Sequence, residues 1–318
     1  MTKRPTLATL AAALFALALL HAPARAQEEV TVILDWFVNP NHAPLVVAKE
    51  GGYFERAGLD VELVAPADPS APPRLVAAGR GDIAIDYQPD LMLQISEGLP
   101  LVRFGTLVAT PLNALIALDD GPIATLGDLE GKRIGYSVAS IQQAYLDAML
   151  ASVGLTSDDV TLVNVNFNLV TALMAGQVDA VIDGYRNFEL TQLETEGRPG
   201  IIFFPEEHGV PLYDELIYVA HEDRRDDPML ARFLKAVEEA TVFLTNHPHE
   251  AETMFLAAYP DLDDHLNRTA YDLTLPRYAR RPAALDRGRY ARFAAFLVEA
   301  GLIESAPPVD DYAVAPTW

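Results

Sequence analysis

Along most of the chain, short apolar runs rich in β-branched residues alternate with stretches of helical spacing. Residues 30–34 form a mostly apolar, β-branched run, as in a strand buried on both faces. The run breaks at Asp35-Trp36-Phe37-Val38-Asn39-Pro40-Asn41-His42, a loop of aromatic and hydrogen-bonding side chains. Helical spacing resumes at Pro44 and continues through Lys49 to the Gly51-Gly52 stop. The pattern then predicts a strand over 59–64 after Gly58, a short helix over 74–78, a strand over 83–85 and a helix through Leu91 to Gly98. Residues 101–108 and 114–118 are β-prone. After Asp119-Asp120-Gly121-Pro122 the same order restarts. A helical turn is expected over 126–129, a strand over 133–136, and a helix capped by Ser140 and stopped at Gly154. Further strands are expected at 160–165, 180–182, 201–204 and 216–220, with a helix over 169–175. The remainder reads as helical, notably 229–245, where Leu230, Phe233, Leu234 and Val237 share a face, and 289–300.

One nine-residue stretch recurs. Ala78-Gly79-Arg80-Gly81-Asp82-Ile83-Ala84-Ile85-Asp86 aligns without gaps with Ala175-Gly176-Gln177-Val178-Asp179-Ala180-Val181-Ile182-Asp183, and Tyr87 and Tyr185 follow just beyond. In both copies a helix ends on Gly, a strand follows, and an Asp stands at the strand's exit. Two similar α/β units, each presenting strand ends to a shared cleft, would account for this, since open α/β sheets bind ligands beyond the carboxyl ends of their strands.

Composition narrows the reading. With 318 residues, half of them hydrophobic, the chain can support two domains. Residues 1–26 have the build of a signal peptide: Lys3 and Arg4, an apolar core over 7–20, and Ala24-Arg25-Ala26 as the cleavage pattern. The expected product is periplasmic, cut near Ala26. There is no cysteine, which excludes disulfides, thiolate metal sites, a Cys nucleophile and a lipidated Cys tether. The formal charge is −22, and removing residues 1–26 takes away three basic residues and no acidic one. Nucleic acid and anionic membrane surfaces are poor partners for so acidic a chain.

Several motifs carry a resemblance: Leu34-Asp35-Trp36 with Asn41-His42, Gly52-Tyr53-Phe54, Gly79-x-Gly81-Asp82, Glu97-Gly98-Leu99-Pro100, Leu129-x-Gly131-Lys132-x-Ile134-Gly135-Tyr136, and Ala175-Gly176-x-x-Asp179-Ala180. In these the chain resembles periplasmic solute-binding proteins of ABC importers, in their thiamine-pyrimidine branch (ThiY-like, with SsuA-like kin), and the related yeast pyrimidine synthases. The resemblance implies an α/β fold of type II with two lobes and two hinge crossings, near 113–118 and 213–220. Lobe 1 would be 27–115 plus 216–318, and lobe 2 would be 116–215. It further implies a monomer that binds an aminopyrimidine or similar heterocycle and hands it to permease and ATPase subunits, with no cofactor and no metal. The ligand-binding residues it suggests are Asp35, Trp36, Asn39, His42, Asp86, Tyr87, Ser137, Tyr185, Asn187 and Glu189. Trp36 and a Tyr would stack on the ring, and Asp35 and Glu189 would accept from its exocyclic amine.

Two alternatives stay open. The synthase reading needs a Cys-rich iron segment and a pyridoxal-phosphate lysine, but after the first Gly-Asp strand the chain reads Ala84-Ile85-Asp86-Tyr87. Beyond residue 26 its only lysines are Lys49, Lys132 and Lys235. The other alternative keeps a binding protein and changes the cargo to a sulfonate, nitrate or riboflavin-like solute. An anion would want Arg or Lys near the strand exits, and Arg186 is the clear candidate there.

Overall fold

A computed structural model describes residues 27–138 and 141–318. The signal peptide expected at 1–26 and the helix cap expected at Ser140 lie outside the described residues. Among the described residues ten strands form two five-stranded sheets. The first holds β1 (Glu28–Ile33), β2 (Leu59–Val64), β3 (Ile83–Asp86), β4 (Leu101–Val108) and β10 (Leu216–His221), in the order β2-β1-β3-β10-β4. The second holds β5 (Asn113–Leu118), β6 (Arg133–Tyr136), β7 (Thr161–Asn164), β8 (Ala180–Tyr185) and β9 (Gly200–Phe203), in the order β7-β6-β8-β5-β9.

The two orders are the same pattern, and the repeated nine residues supply the middle strand of each. β3 runs parallel to β1 and antiparallel to β10, and β8 runs parallel to β6 and antiparallel to β5. The repeated Asp before each strand has one job in both places. Asp82 Oδ2 accepts from the Thr31 amide at 2.8 Å while the Asp82 amide donates to Thr31 O. Asp179 makes the same pair of bonds with Arg133, at 2.9 and 2.8 Å. Each thereby locks a parallel neighbour in register.

The structure moves several expected boundaries. The loop 35–42 is not wholly irregular. Pro40–His42 is a 3-10 turn with Asn39 as its N-cap, and the helix proper is Ala43–Glu50. The helix expected to begin at Arg74 begins at Pro72, a residue suited to a first turn. β8 continues through Asp183 to Tyr185, so Asp183 lies inside a strand, where it takes a left-handed φ of 69° beside a register shift against β5. The first crossing was expected at 113–118, but those residues are β5, the fourth strand of the second sheet. The chain passes between sheets over 109–112 and returns over 204–215, so the expected division after residue 115 falls within a strand.

Alternate packing of the sheet faces follows from burial on both sides. Behind the first sheet, Phe233 of the helix Pro228–Asn246 stacks on Phe54 with centroids 5.1 Å apart and meets Phe104 and Tyr218 edge-on. Truncating so enclosed a ring loses its transfer energy and leaves a cavity. Phe233→Ala is expected to destabilise the protein by about 3–5 kcal/mol, read from denaturant unfolding.

Candidate functional site

Between the two sheets, beyond the carboxyl ends of β1, β3, β6 and β8, lies a cavity with about 600 Å³ of space between atoms, part of it continuous with solvent. Asp35, Trp36 and Asn39 line it from the loop after β1, Tyr87 and Asp90 from the turn and helix after β3, and Ser137 and Val138 from the end of β6. Asp183, Tyr185, Phe188 and Glu189 line it from β8 and beyond. The inter-sheet connections add Asn113 and Glu215. Five carboxyl groups thus face one cavity, with no lysine, arginine or histidine among the residues lining it.

Each carboxylate taken out of water has to find donors, and most find them in the backbone. Asp183 Oδ2 accepts from the amides of Ser137 at 3.0 Å and Val138 at 3.1 Å and from Gln142 Nε2 at 3.1 Å, while Oδ1 accepts from Asn113 Nδ2 at 2.9 Å. Its strained φ aims the carboxylate at these donors. Glu215 Oε2 accepts from the amides of Leu112 and Asn113, tying the return crossing to the outgoing one. Glu189 Oε2 accepts from the Tyr185 amide at 2.7 Å. Asp35 is held from both sides, by the Tyr87 hydroxyl at 3.2 Å and by His42 Nε2 at 2.8 Å. The Asn39 amide donates to His42 Nδ1, which leaves the ring proton on Nε2, so His42 donates to Asp35.

Seven of the ten residues expected from the sequence line the cavity: Asp35, Trp36, Asn39, Tyr87, Ser137, Tyr185 and Glu189. Three do not. His42 is fully buried behind Asp35 and acts on the cavity through it. Asp86 faces a separate groove on the far side of Tyr87. Asn187 points away from the cavity, and its Nδ2 donates across the cleft to Asn41 Oδ1 and Thr274 Oγ1, both at 2.7 Å. Sequence reasoning missed Asp90, Asn113, Gln142, Tyr145 and Glu215 as lining residues. Asp90 directly follows Pro89 at the start of its helix, and Glu215 is the residue before β10, but neither carries a motif.

The two lobes meet around the cavity. The Phe167 ring of the second lobe has its centroid 4.5 Å from those of both Trp36 and Phe37, joining the lobes beside the cavity. Arg186, the expected anion ligand, is occupied elsewhere. It pairs with Glu206 at 2.6 Å, donates to Leu112 O and Asn113 O, and lies 4.3 Å over Phe204, bracing the crossings.

Burial raises Asp183 from 3.8 to about 6 and raises Glu189 and Glu215 from 4.5 to about 7. It also pushes Asp90 well up, with the charges of Asp86, Asp183 and Glu215 adding to the effect. A carboxyl whose folded value lies above its unfolded one holds its proton more tightly in the folded state. Its contribution is therefore complete below the unfolded value and is lost as pH rises through the folded one. The unliganded protein is expected to lose thermal stability between about pH 5 and about pH 8, the reverse of a salt-bridged carboxylate, and melting curves across that range test it.

Comparison with known proteins agrees with this architecture. The profile described as NMT1/THI5 like matches residues 39–251. A Haemophilus influenzae protein named for thiamine biosynthesis is 48% identical over 93% of this chain and 95% of its own. The formylaminopyrimidine-binding protein of Halalkalibacterium halodurans is 36% identical over 73% of this chain and 71% of its own. More distant relatives, at 24–29% identity, are named 4-amino-5-hydroxymethyl-2-methylpyrimidine phosphate synthases. Among solved structures, the alkanesulfonate-binding protein SsuA of Xanthomonas axonopodis pv. citri superposes with a TM-score of 0.71 at 18% identity, over 91% of this chain and 98% of its own. The fold is that of the two-lobed α/β periplasmic binding proteins, and the chain belongs to the NMT1/THI5-like family.

Proposed function

We propose that this chain is the solute-binding component of an ABC importer and carries an aminopyrimidine of the thiamine-precursor type, of which formylaminopyrimidine is the model. The observation that carries the reading is the cavity wall: aromatic rings from Trp36, Tyr87, Tyr185 and Phe188 beside five carboxyls, with no cationic side chain lining it. A flat ring bearing an exocyclic amine offers faces to the rings and donors to the carboxyls. A sulfonate or nitrate would find no cationic partner on this wall. The relative named for formylaminopyrimidine binding supports the same cargo.

In this reading Trp36 and Tyr185 flank the ring and Asp35 and Glu189 accept from the amine. The lobes divide at 109–112 and 204–215 and close as a hinge. The exported, monomeric protein delivers its ligand to permease and ATPase subunits in the periplasm, after removal of residues 1–26 near Ala26. Among the described residues no helix is long and apolar enough to cross a membrane. The binding role is preferred to synthase chemistry because the chain has no cysteine and carries Asp86-Tyr87 where that enzyme's lysine would fall.

A thermal-shift panel of aminopyrimidine precursors, thiamine, riboflavin, taurine and nitrate tests the cargo. An aminopyrimidine at 100 times its Kd is expected to add about 2.7 kcal/mol, with taurine and nitrate silent. Stabilisation by riboflavin or an anion alone would refute the cargo. Trp36→Ala is expected to weaken binding by about 1–3 kcal/mol, by analogy with base–aromatic stacking. Asn187→Ala, which deletes the bonds across the cleft, is expected to weaken affinity by about 1–3 kcal/mol, chiefly through faster release in stopped-flow measurements.

A further inference from the structure

Behind Tyr87, on the side away from the cavity, Asp86 ends β3 with only 2% of its surface exposed. Its Oδ1 accepts from Gln94 Nε2 at 3.3 Å, eight residues on in the helix Gln88–Ser96. Two atoms of this same pair, Asp86 Oδ2 and Gln94 Oε1, are buried without a hydrogen-bond partner among the described residues. Both are acceptors when the carboxyl is ionised, so two residues already joined by one bond each keep an unsatisfied oxygen. Two unpaired buried acceptors on adjacent residues are costly, and one proton would satisfy both.

We propose that Asp86 is a neutral acid in the folded protein, its Oδ2 proton donated to Gln94 Oε1, and that this acid–amide pair sets the charge of the wall behind Tyr87 and so the pH range in which the cleft binds. A carboxylic acid facing a primary amide makes two antiparallel bonds, O–H to O and N–H to O, and the second of these is the bond present. Burial acts in the same direction, raising Asp86 from 3.8 to about 7 against the Tyr87 amide and Gln94, which lower it.

The charged and titratable groups around Asp86 do not relieve it. Asp35, at the exit of the neighbouring β1, is a like charge that raises Asp86, and Asp86 in turn raises Asp90 on the following helix. The groove's outer rim carries Arg74 and Glu97, which are more than half exposed and paired with each other at 3.9 Å. From the second lobe, Val138 lines the groove and brings no charge.

The pair acts as a positioning element. Tyr87 follows Asp86 directly and gives its hydroxyl to Asp35, and Asp90 enters the cavity from the same helix that carries Gln94. Ionising Asp86 would place a further negative charge beside both cavity carboxyls and strand Gln94 Oε1. In this structure Val138 of the second lobe already lines the groove and Asp86 is buried, so opening of the lobes would lift that cover, expose Asp86 and favour its ionised form. Closing on ligand therefore takes up a proton, and affinity declines as pH rises past neutrality. This last step rests on the binding role proposed above, whereas the protonation state does not.

The first test accordingly needs no ligand. In the wild-type protein the Asp86 side-chain carboxyl, assigned by its absence in Asp86→Asn, is followed by carbon NMR against pH. A midpoint near neutrality is expected, and a midpoint near the ordinary Asp value of about 4 overturns the proposal. Methylammonium is added in the same experiment. If it binds the groove and moves the Asp86 signal, the unpaired oxygens belong to an amine site and the proposal also falls.

The second test measures affinity for the best aminopyrimidine across neutral pH. Asp86→Asn presents an N–H to Gln94 Oε1 and an oxygen to Gln94 Nε2, reproducing the pair without a titrating proton. Wild type is expected to lose up to about tenfold in affinity per pH unit above the midpoint, and Asp86→Asn to bind with a flatter profile. Identical profiles in the two proteins would overturn the link to binding.

Discussion

A cavity that faces five carboxyls with no cation on its wall can persist only if every one of them is given donors or a proton, and that requirement shapes the parts around it. Asp183 gathers the amides of Ser137 and Val138, Gln142 and Asn113, so the end of β6, the start of the helix at Gln142–Ala151 and the beginning of β5 converge on one side chain. Glu215 fixes the two crossings to each other by accepting from Leu112 and Asn113. Glu189 closes the turn after β8. The bonds that make the carboxyls tolerable are the bonds that hold the loops in place, so the binding wall and the hinge share one set of contacts. Removing one of these acceptors would free the donors it gathers, in the second lobe for Asp183 and Glu189 and at the crossings for Glu215, as well as change the cavity.

Much of this frame was legible in the sequence because it is written in local patterns. β2, β4 and β6 have the boundaries that their apolar runs predict, and the recurrence at 78–86 and 175–183 places the central strand of each sheet. What local pattern does not encode is direction of approach. Asn187 stands two residues before Glu189 in a polar turn, and nothing in that sequence says that its amide crosses to Asn41 and Thr274 instead of facing a ligand. His42 has the composition of a ligand contact but lies one shell behind Asp35. Asp90 and Glu215 reach the cavity because a helix and a crossing deliver them there, a tertiary fact with no trace in the spacing of neighbouring residues. The first crossing was misplaced for a related reason: 113–118 reads as a strand in either sheet, and only its pairing with β8 and β9 assigns it.

The repeated unit shows how one local device is reused for different ends. Asp82 and Asp179 do the same work, each pinning one residue of a parallel neighbour, Thr31 within β1 and Arg133 at the start of β6. Four residues later the copies diverge. Asp183 bends the strand into a left-handed residue and spends all its accepting capacity on the second lobe's loops. Asp86 remains in ordinary extended backbone, turns to the rear of Tyr87 and meets only Gln94 through a side chain. The same residue type at the same strand exit thus builds the wall in one lobe and supports it from behind in the other.

That asymmetry bears on how a family of one fold can hold both carriers and synthases. The scaffold delivers side chains to the carboxyl ends of β1, β3, β6 and β8, and what stands at those ends decides the chemistry. Here the turn after β3 offers an acid and a tyrosine, and Arg186, the nearest candidate cation, is drawn away by Glu206 and the crossing carbonyls. With its positive charge engaged in the hinge, the cavity wall can accept hydrogen bonds in many places and donate few. The flat, donor-bearing ring proposed above as cargo would complement such a wall, whereas an anion would find no cation on it.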